Sequence, residues 1–319
     1  MTVRGLIRRW NDFFFKPESP TPLALFRILY GLLTITNLLM LRPEWLKWYG
    51  PRGFMSIDTM HKMASGPHPN LFEILPQTDA AVLAFFWAFL IVSIFMTAGF
   101  MTRFSTVAVF LCVQSIQTRN PYILNGSDTL LSVLGFFLIF APAGAAFSID
   151  RWLRIRKGLE GSKVPLHSPW VLRLIQIQIA FMYFTTFYCK TRGSTWIDGT
   201  AVWYALHYVE GHRFPVPIQS LFIIKLLTWG TPAIELSLAV MVWFRELRYP
   251  ILIAGLCLHL GIEYSLNIPL FEWISMATYV VFVYPEDLSR AGEWIRSQVG
   301  SKLYALRTYA PVLKRRDAA

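Results

Sequence analysis

The sequence has little charge and few cysteines. Only 15% of its 319 residues are Asp, Glu, Lys or Arg, whereas soluble domains carry roughly 25%. Its three cysteines, Cys112, Cys189 and Cys257, form no Cys-x-x-Cys pair, which excludes a disulfide framework and a zinc-ribbon or thiol-redox motif. The chain also lacks a P-loop, a Gly-x-Gly-x-x-Gly loop, a Gly-x-Ser-x-Gly elbow and a His-Glu-x-x-His motif. No standard signature of a soluble enzyme is therefore present.

Apolar and aromatic residues are correspondingly abundant. Hydrophobic residues make up 55% of the chain, aromatic residues 16%, and the mean hydropathy is +0.44. A soluble chain of this length would have too little polar surface to cover its core, so the excess apolar surface must face lipid. Tryptophan and tyrosine also favour the boundary between membrane and water. The composition predicts an integral membrane protein whose first partner is the lipid bilayer.

Eight apolar segments approach the length needed to cross a bilayer, which is about 20 residues for a helix. We therefore predict an all-α fold, a polytopic integral membrane helical bundle with about eight transmembrane helices. The third and eighth segments are short, and Gly230 and Pro232 leave open whether the sixth is continuous or broken. The predicted spans are 21–41, 79–100, 103–118, 128–147, 169–189, 218–244, 249–267 and 270–285.

Basic residues outnumber acidic ones, which gives a net charge of +11. With eight spans and a cytoplasmic N-terminus, most of them fall in the inner segments, so the positive-inside rule predicts that both termini are cytoplasmic. We divide the chain into a basic amphipathic segment (1–17), a transmembrane domain (18–285) and a basic cytoplasmic tail (286–319). Because no long Lys/Arg run carries interleaved aromatics, we predict no nucleic-acid partner.

Few ionisable residues lie inside the predicted spans, where they are costly and often functional. They are Arg27, Arg173, Lys225, Glu235, His259 and Glu263. Arg27 either snorkels or pairs structurally, or it serves a site. His259 and Glu263 lie one turn apart on one helix face, so they form either a proton-handling pair or a satisfied polar contact.

Two further candidates lie at predicted helix ends on the outer side. Asp128 follows Asn125 where a helix should begin, so it is either a cap or a site residue. Lys190 ends a long apolar run. Desolvation there favours a neutral amine that can act as a base, whereas the helix C-terminus and the headgroups favour an ordinary ammonium. The histidines of the outer segments fit no standard metal-site spacing, so we predict no metal site: His61, His68, His207 and His212.

Four segments in order resemble the HTTM (horizontally transferred transmembrane) domain family. They begin with PLALFRILYG at Pro22, RNPYILNGSD at Arg119, QIQIAFMYFTTFYCK at Gln176 and LHLGIEYSLNIPLFEW at Leu258. The third is the most characteristic, because an apolar span ends in a lysine and a Trp-x-x-Gly turn follows. The resemblance covers roughly residues 18–285.

Vitamin K-dependent γ-glutamyl carboxylase is a member of that family. It oxidises a reduced quinone with O₂ and uses the resulting strong base to deprotonate glutamate, which captures CO₂. The resemblance implies carboxylase-like chemistry with a reduced, vitamin K-like quinone and a peptide or protein substrate at the outer face. The implied catalytic residues are Lys190, His259 and Asp128, and the implied cofactor-binding residues are Arg119, Asn120, Trp196 and Arg27.

The chain departs from the carboxylase at two of these positions. The carboxylase has two adjacent lysines, of which the second is catalytic, whereas Lys190 matches the first and Thr191 follows it. Asp128 stands near the position of a functional histidine. Two other classes of function are therefore kept as alternatives: a non-enzymatic membrane factor for maturation or partner binding, and a small transporter, which a broken sixth span would favour.

Overall fold

The computed structural model describes residues 2–63, 70–207, 213–294 and 297–298. Within these ranges the named regular elements are helical, and an isolated β-bridge links Glu18 and His167. The predicted all-α class is confirmed. In chain order the α-helices are α1 (Val3–Phe15), α2 (Thr21–Leu41), α3 (Trp45–Tyr49), α4 (Ile57–Met63), α5 (Asp79–Ala98), α6 (Thr102–Arg119), α7 (Gly126–Phe140), α8 (Ile149–Arg156), α9 (Trp170–Lys190), α10 (Ser194–Ile197), α11 (Ala201–His207), α12 (Leu221–Val240), α13 (Arg248–Ser265) and α14 (Phe271–Thr278).

Every predicted span contains a helix, but the helices differ in length. Four segments of the described chain are long and apolar enough to cross a membrane: Thr21–Tyr49, Asp79–Ala98, Trp170–Lys190 and Leu221–Trp243. The helix α7 and the segment Phe271–Phe282 are apolar but shorter. Phe271–Phe282 is about 18 Å long at 1.5 Å per residue, less than the roughly 30 Å hydrocarbon core. The chain is an integral membrane protein, and the predicted count of eight spans is not established.

The sixth predicted span is continuous. The helix α12 runs through Pro232 without a break. Proline removes one backbone donor, which normally kinks or breaks a helix. The carbonyl that loses its donor here is that of Thr228, four residues earlier. Beside it Thr231 Oγ1 donates to the Leu227 carbonyl at 2.9 Å, and the Thr228 hydroxyl accepts from the Val202 N–H at 3.2 Å. The feature that would have favoured a transporter, a broken helix at this position, is therefore not found.

Polar residues lie inside the bundle and large apolar residues on its surface, as lipid surroundings require. Among the polar residues, Ser93, Ser105 and Thr228 are fully buried. Their hydroxyls are satisfied by neighbouring groups; Ser93, for example, donates to the Phe89 carbonyl at 2.8 Å. Large apolar side chains are exposed along the long helices, among them Leu32, Leu39, Trp87, Ile91, Ile94, Phe181 and Phe184.

The described parts of the connections carry short helices. Between α2 and α5 the chain forms a 3-10 turn at Arg42–Glu44, then α3 and α4, then a 3-10 turn at Leu71–Glu73. Trp45 fixes α3 against α5 by donating to the Val82 carbonyl at 3.0 Å. After α9 the chain forms the short helices α10 and α11, and residues 208–212 lie outside the described ranges. Most of the predicted basic tail also lies outside them.

Candidate functional site

Lys190 lies at the end of α9 in an ion pair with a carboxylate of α12. Its Nζ is 2.6 Å from Glu235 Oε1, and the two side chains are 20% and 10% exposed. The ammonium also lies over the Trp196 ring, 5.1 Å from its centroid. An amine, a carboxylate and an aromatic face therefore meet at one end of the bundle.

The Glu235 carboxylate is only half satisfied. Its Oε2 is buried and has no hydrogen-bond partner among the described residues. Thr186 lies beside this carboxylate, but its hydroxyl donates to the Tyr183 carbonyl at 3.0 Å. A buried acceptor without a donor is costly, so this oxygen is a position where a ligand hydroxyl or N–H group would be stabilised.

A second, fully buried cluster lies deeper in the bundle around His259. Its Nε2 is 2.6 Å from the Tyr183 hydroxyl, and its Nδ1 contacts a carboxylate oxygen of Glu272. The Tyr183 hydroxyl is also 2.9 Å from that of Tyr279. If Nδ1 donates to the Glu272 carboxylate, Nε2 accepts a hydrogen bond from the Tyr183 hydroxyl, which is the order of a carboxylate–imidazole–phenol relay. We call Glu272, His259, Tyr183 and Tyr279 the histidine cluster.

Helix periodicity brings the two groups together. Tyr183 and Lys190 are seven residues apart on α9, so they share a face and are separated by about 10 Å along the axis. Glu235 lies within electrostatic range of His259. The lysine, its carboxylate and the histidine cluster therefore form one strip of ionisable groups between α9, α12, α13 and α14.

Glu263 does not pair with His259, although both lie on α13. Its Oε1 contacts Arg213 and accepts from Trp273 Nε1 at 2.9 Å, whereas His259 pairs with Glu272 from α14. The predicted alternative of a His259–Glu263 proton-handling pair is thus wrong, because each side chain finds its partner on another element.

Arg119 and Asn120 lie apart from this strip, at the end of α6. Arg119 donates to the Gly50 carbonyl at 3.1 Å, and Asn120 donates to the Trp48 carbonyl at 3.3 Å. Both side chains are almost fully buried. They hold the segment after α2 against α6 and contribute no described contact to Lys190.

Asp128 forms a cap. Its Oδ2 accepts from the Asn125 N–H at 2.8 Å, and the Asn125 side chain accepts from the Ser127 N–H at 2.7 Å, which makes a capping box at the start of α7. The predicted reading of Asp128 as a helix cap matches this geometry.

Arg27 lies in a third place. Its guanidinium is 0% exposed and donates to the carbonyls of Ala143, at 2.6 Å, and Phe147, at 2.5 Å. Those carbonyls belong to the chain that follows α7, and Asp150 supplies an attractive charge nearby. The side chain therefore satisfies the backbone where α7 ends.

Of the residues predicted as a site, the structure brings together Lys190, Trp196 and His259. It adds Glu235, Tyr183, Tyr279 and Glu272, of which the sequence had singled out only Glu235, as an intramembrane charge. Glu272 had a detectable signal, because it is a carboxylate within the predicted span 270–285. The two tyrosines had none, since a tyrosine in a span is ordinary. Among the histidines of the outer segments, His61 faces Glu73 at 3.5 Å and His207 stacks on Trp203, while His68 and His212 lie outside the described ranges.

Comparison with known proteins places the chain in a family. It is 21% identical over 309 residues to the uncharacterized protein YitO of Bacillus subtilis (strain 168), covering 94% of this chain and 96% of that protein. It is 22% identical over 289 residues to the sporulation-delaying protein SdpB of the same organism, covering 85% and 83%. No solved structure gives a significant match. The family model for the HTTM domain matches residues 15–286, so the chain belongs to the HTTM domain family.

Proposed function

We propose that this protein is a membrane-embedded enzyme in which Lys190 acts as a general base. Its reaction would be quinone- and O₂-dependent carboxylation or a related modification of a peptide or protein. The observation that carries the proposal is the Lys190–Glu235 pair, with a buried, unpartnered carboxylate oxygen beside it and the histidine cluster behind it. Membership of a family that contains a carboxylase supports this choice of chemistry.

Lys190 can become a base without leaving its partner. In water the charged pair of ammonium and carboxylate is strongly preferred, but burial penalises both charges. Transfer of one proton from Lys190 Nζ to Glu235 Oε1 across 2.6 Å gives a neutral amine and a carboxylic acid. This step creates no net charge, so a dry site favours it more than bulk water does. The neutral amine then takes a proton from a substrate group.

The geometry also favours Lys190 over the next helix position as the equivalent of the catalytic lysine. A step of one residue rotates a side chain by about 100° around a helix. Thr191 is exposed and donates to the Tyr188 carbonyl at 2.7 Å, whereas Lys190 faces Glu235. The single lysine in this segment therefore points to the strip of ionisable groups.

The residues around Lys190 fit a reduced quinone. A flat aromatic ring can pack on Trp196. Glu235 Oε2 is a buried acceptor without a donor among the described residues, so it would match a hydroquinone hydroxyl once the Lys190–Glu235 pair opens to admit the ligand. When bound, a reduced quinone supplies the electrons for reduction of O₂. Glu235 would accept a hydrogen bond from it, Lys190 would hold or remove a proton, and the histidine cluster would carry protons between Tyr183 and Glu272.

We further propose that the Lys190 end of the bundle faces the outside and that both termini are cytoplasmic. The distribution of basic residues supports this orientation. Cysteine labelling tests it in a background without Cys112, Cys189 and Cys257. An impermeant maleimide should label Arg192→Cys in intact cells and Lys163→Cys only after permeabilisation; the opposite pattern contradicts the orientation.

Oxygen uptake by the purified protein tests the enzyme directly. In nanodiscs supplied with reduced vitamin K, the wild type should consume O₂, and Lys190→Met should reduce the rate at least about a hundredfold, as expected for loss of a general base. Lys225→Met is the matched control, because Lys225 is also a half-buried lysine over a tryptophan ring, 5.8 Å from that of Trp229. The proposal is ruled out if O₂ consumption by the wild type does not depend on the reduced quinone. It is also ruled out if Lys190→Met and Lys225→Met lower the rate equally.

The similarity to SdpB keeps one non-enzymatic candidate, a membrane factor for maturation or partner binding. It covers most of both chains, and that relative is named for delaying sporulation. The same lysine variant separates the two candidates. If Lys190→Met retains the cellular phenotype of the wild type while its fold is intact, a partner-binding role is favoured over catalysis.

A further inference from the structure

A cavity opens at the end of the bundle where α6 and α9 begin and α7 ends. It has a volume of about 650 Å³, and its wall includes Thr102, Arg103, Asp150, Arg154, Glu160 and His167. A second cavity of about 500 Å³ shares Arg103 and His167 and is lined by apolar side chains. Together they have the size of a ligand site. They lie at the opposite end of α9 from Lys190, about 30 Å along the helix axis.

The carboxylates of the larger cavity are already engaged. Asp150 accepts from the backbone N–H groups of Met101, at 2.8 Å, and Thr102, at 2.7 Å, and so closes the start of α6. Glu160 accepts from Arg154 at 2.7 Å and from Arg151 at 2.9 Å. These hydrogen bonds, led by that from Arg154, hold the pKa of Glu160 below its ordinary value. Neighbouring donors therefore engage both acids, and Arg151 and Arg154 balance the charge of Glu160.

Two nitrogen-bearing side chains of the cavity have no such partner. Within the described ranges Arg103 forms no ion pair or side-chain hydrogen bond. The Nε2 atom of His167 is buried and has no hydrogen-bond partner in the same ranges. The backbone of His167 is fixed by its bridge to Glu18, with both hydrogen bonds at 2.9 Å. The cavity thus offers the Arg103 guanidinium, a cation without an ion-pair partner in the described ranges, and the ring nitrogen of a histidine whose backbone is fixed. This combination suits an anion.

Apart from Arg103, His167 and Ser168, the wall of the second cavity is apolar, and it reaches the surface of the bundle. It includes Val107, Ile139, Phe140 and Trp170, and the side chains of Val107, Phe140 and Trp170 are exposed on the bundle surface. The polar cavity therefore continues into a groove that suits a hydrocarbon chain. The ligand that combines both properties is a phospholipid.

The helix α1 places this end at headgroup level. It carries Arg4, Arg8 and Arg9 together with exposed Leu6 and Trp10, the composition of a helix that lies in the membrane interface. It is joined to the cavity by the bridge between Glu18 and His167.

We propose that the two cavities bind one anionic phospholipid. Its phosphate is held by Arg103 and His167 Nε2, and one acyl chain lies along Val107, Ile139 and Phe140. The site is independent of the chemistry proposed for Lys190.

Native mass spectrometry of the detergent-purified full-length protein tests the site. We expect dioleoyl phosphatidylglycerol to bind about tenfold more tightly than dioleoyl phosphatidylcholine, because both lipids carry the phosphate but the choline cation of the second cancels the net negative charge that Arg103 attracts. Arg103→Gln should remove this preference, and Arg103→Lys should retain most of it. Arg156→Gln is the matched control, because Arg156 is an exposed arginine of the adjacent α8 that does not line the cavity.

Three results would overturn the proposal. The first is equal affinity for the two lipids, and the second is an equal effect of Arg103→Gln and Arg156→Gln. The third is competition by glycerol 3-phosphate as strong as that by the lipid, which would indicate a site for a free phosphate.

A further variant tests the position of the acyl chain. Val107→Trp fills the groove without changing charge, so it should weaken the binding of phosphatidylglycerol about tenfold at an unchanged unfolding temperature. Unchanged binding contradicts the acyl-chain placement.

Discussion

Replacing Arg27 by methionine should destabilise the bundle rather than weaken ligand binding. The guanidinium is fully buried and donates to the carbonyls of Ala143 and Phe147 at 2.6 and 2.5 Å. Methionine keeps much of the side-chain volume but has no donor. The Ala143 carbonyl belongs to a buried residue. In Arg27→Met it would lose its hydrogen-bond donor, and neither lipid nor water could provide another one there.

The size of the effect follows from these two contacts. A hydrogen bond from a charged donor contributes about 1.5–3 kcal/mol, so loss of two costs roughly 3–6 kcal/mol. Methionine also removes a buried cation, whose desolvation cost of several kcal/mol offsets part of that loss. We expect a net destabilisation of about 3 kcal/mol. Arg27→Lys keeps the charge but loses the planar fork, and about half of the effect should follow.

Denaturant unfolding in mixed micelles, followed by tryptophan fluorescence, measures this change. The control is Arg192→Met, since Arg192 is an exposed arginine near Tyr188 and its loss should change the free energy of unfolding by less than about 0.5 kcal/mol. If Arg27→Met unfolds like the wild type but no longer turns over a reduced quinone, Arg27 does not stabilise the fold through the carbonyls that follow α7. It would then contact the cofactor.

Three further changes test the local geometry. At Gly255 an added Cβ would lie 2.4 Å from a tyrosine hydroxyl of the histidine cluster, so Gly255→Ala should lower the unfolding free energy by about 1–3 kcal/mol, whereas Gly261→Ala, in open space on the same helix, should not. Asp128→Ala should cost about 1 kcal/mol in the same assay and Asp128→Asn less, whereas a catalytic carboxylate would lose activity in both. Hydrogen bonds, led by that from Arg154, depress the pKa of Glu160, so their stabilisation is present above pH 4.5 and is lost on further acidification; amide exchange in α8 should then accelerate, but not in Glu160→Gln.

Features set by neighbouring residues were predictable from the sequence. The apolar runs predicted helices in every span, because a bilayer requires backbone hydrogen bonds to be satisfied within each segment. The pattern Asn125-Gly-Ser-Asp128 predicted a cap, and both partners of that cap lie within four residues. The spans themselves were less predictable, since composition does not determine whether a short apolar helix such as Phe271–Phe282 crosses alone.

The site depended on partners that are distant in sequence. Lys190 and Glu235 are 45 residues apart, and Tyr183 and Tyr279 are 96 apart. The packing of the whole bundle decides which faces of α9, α12 and α14 meet. The periodicity of a single helix does not predict these contacts. His259 illustrates the difference. Glu263 is its neighbour on the same helix, but its ion-pair partner in the folded bundle is Glu272 of α14.

Access separates the candidate residues more sharply than charge does. Arg27, Arg119 and Glu272 are each at most 1% exposed, so a substrate cannot touch them without opening the bundle. They satisfy backbone carbonyls or a buried imidazole. Lys190 is 20% exposed, so its amine can be reached, whereas the Glu235 oxygen that has no donor among the described residues lies buried beside it. A chemical step should therefore begin at Lys190, and the buried groups behind it should act by positioning charge and carrying protons.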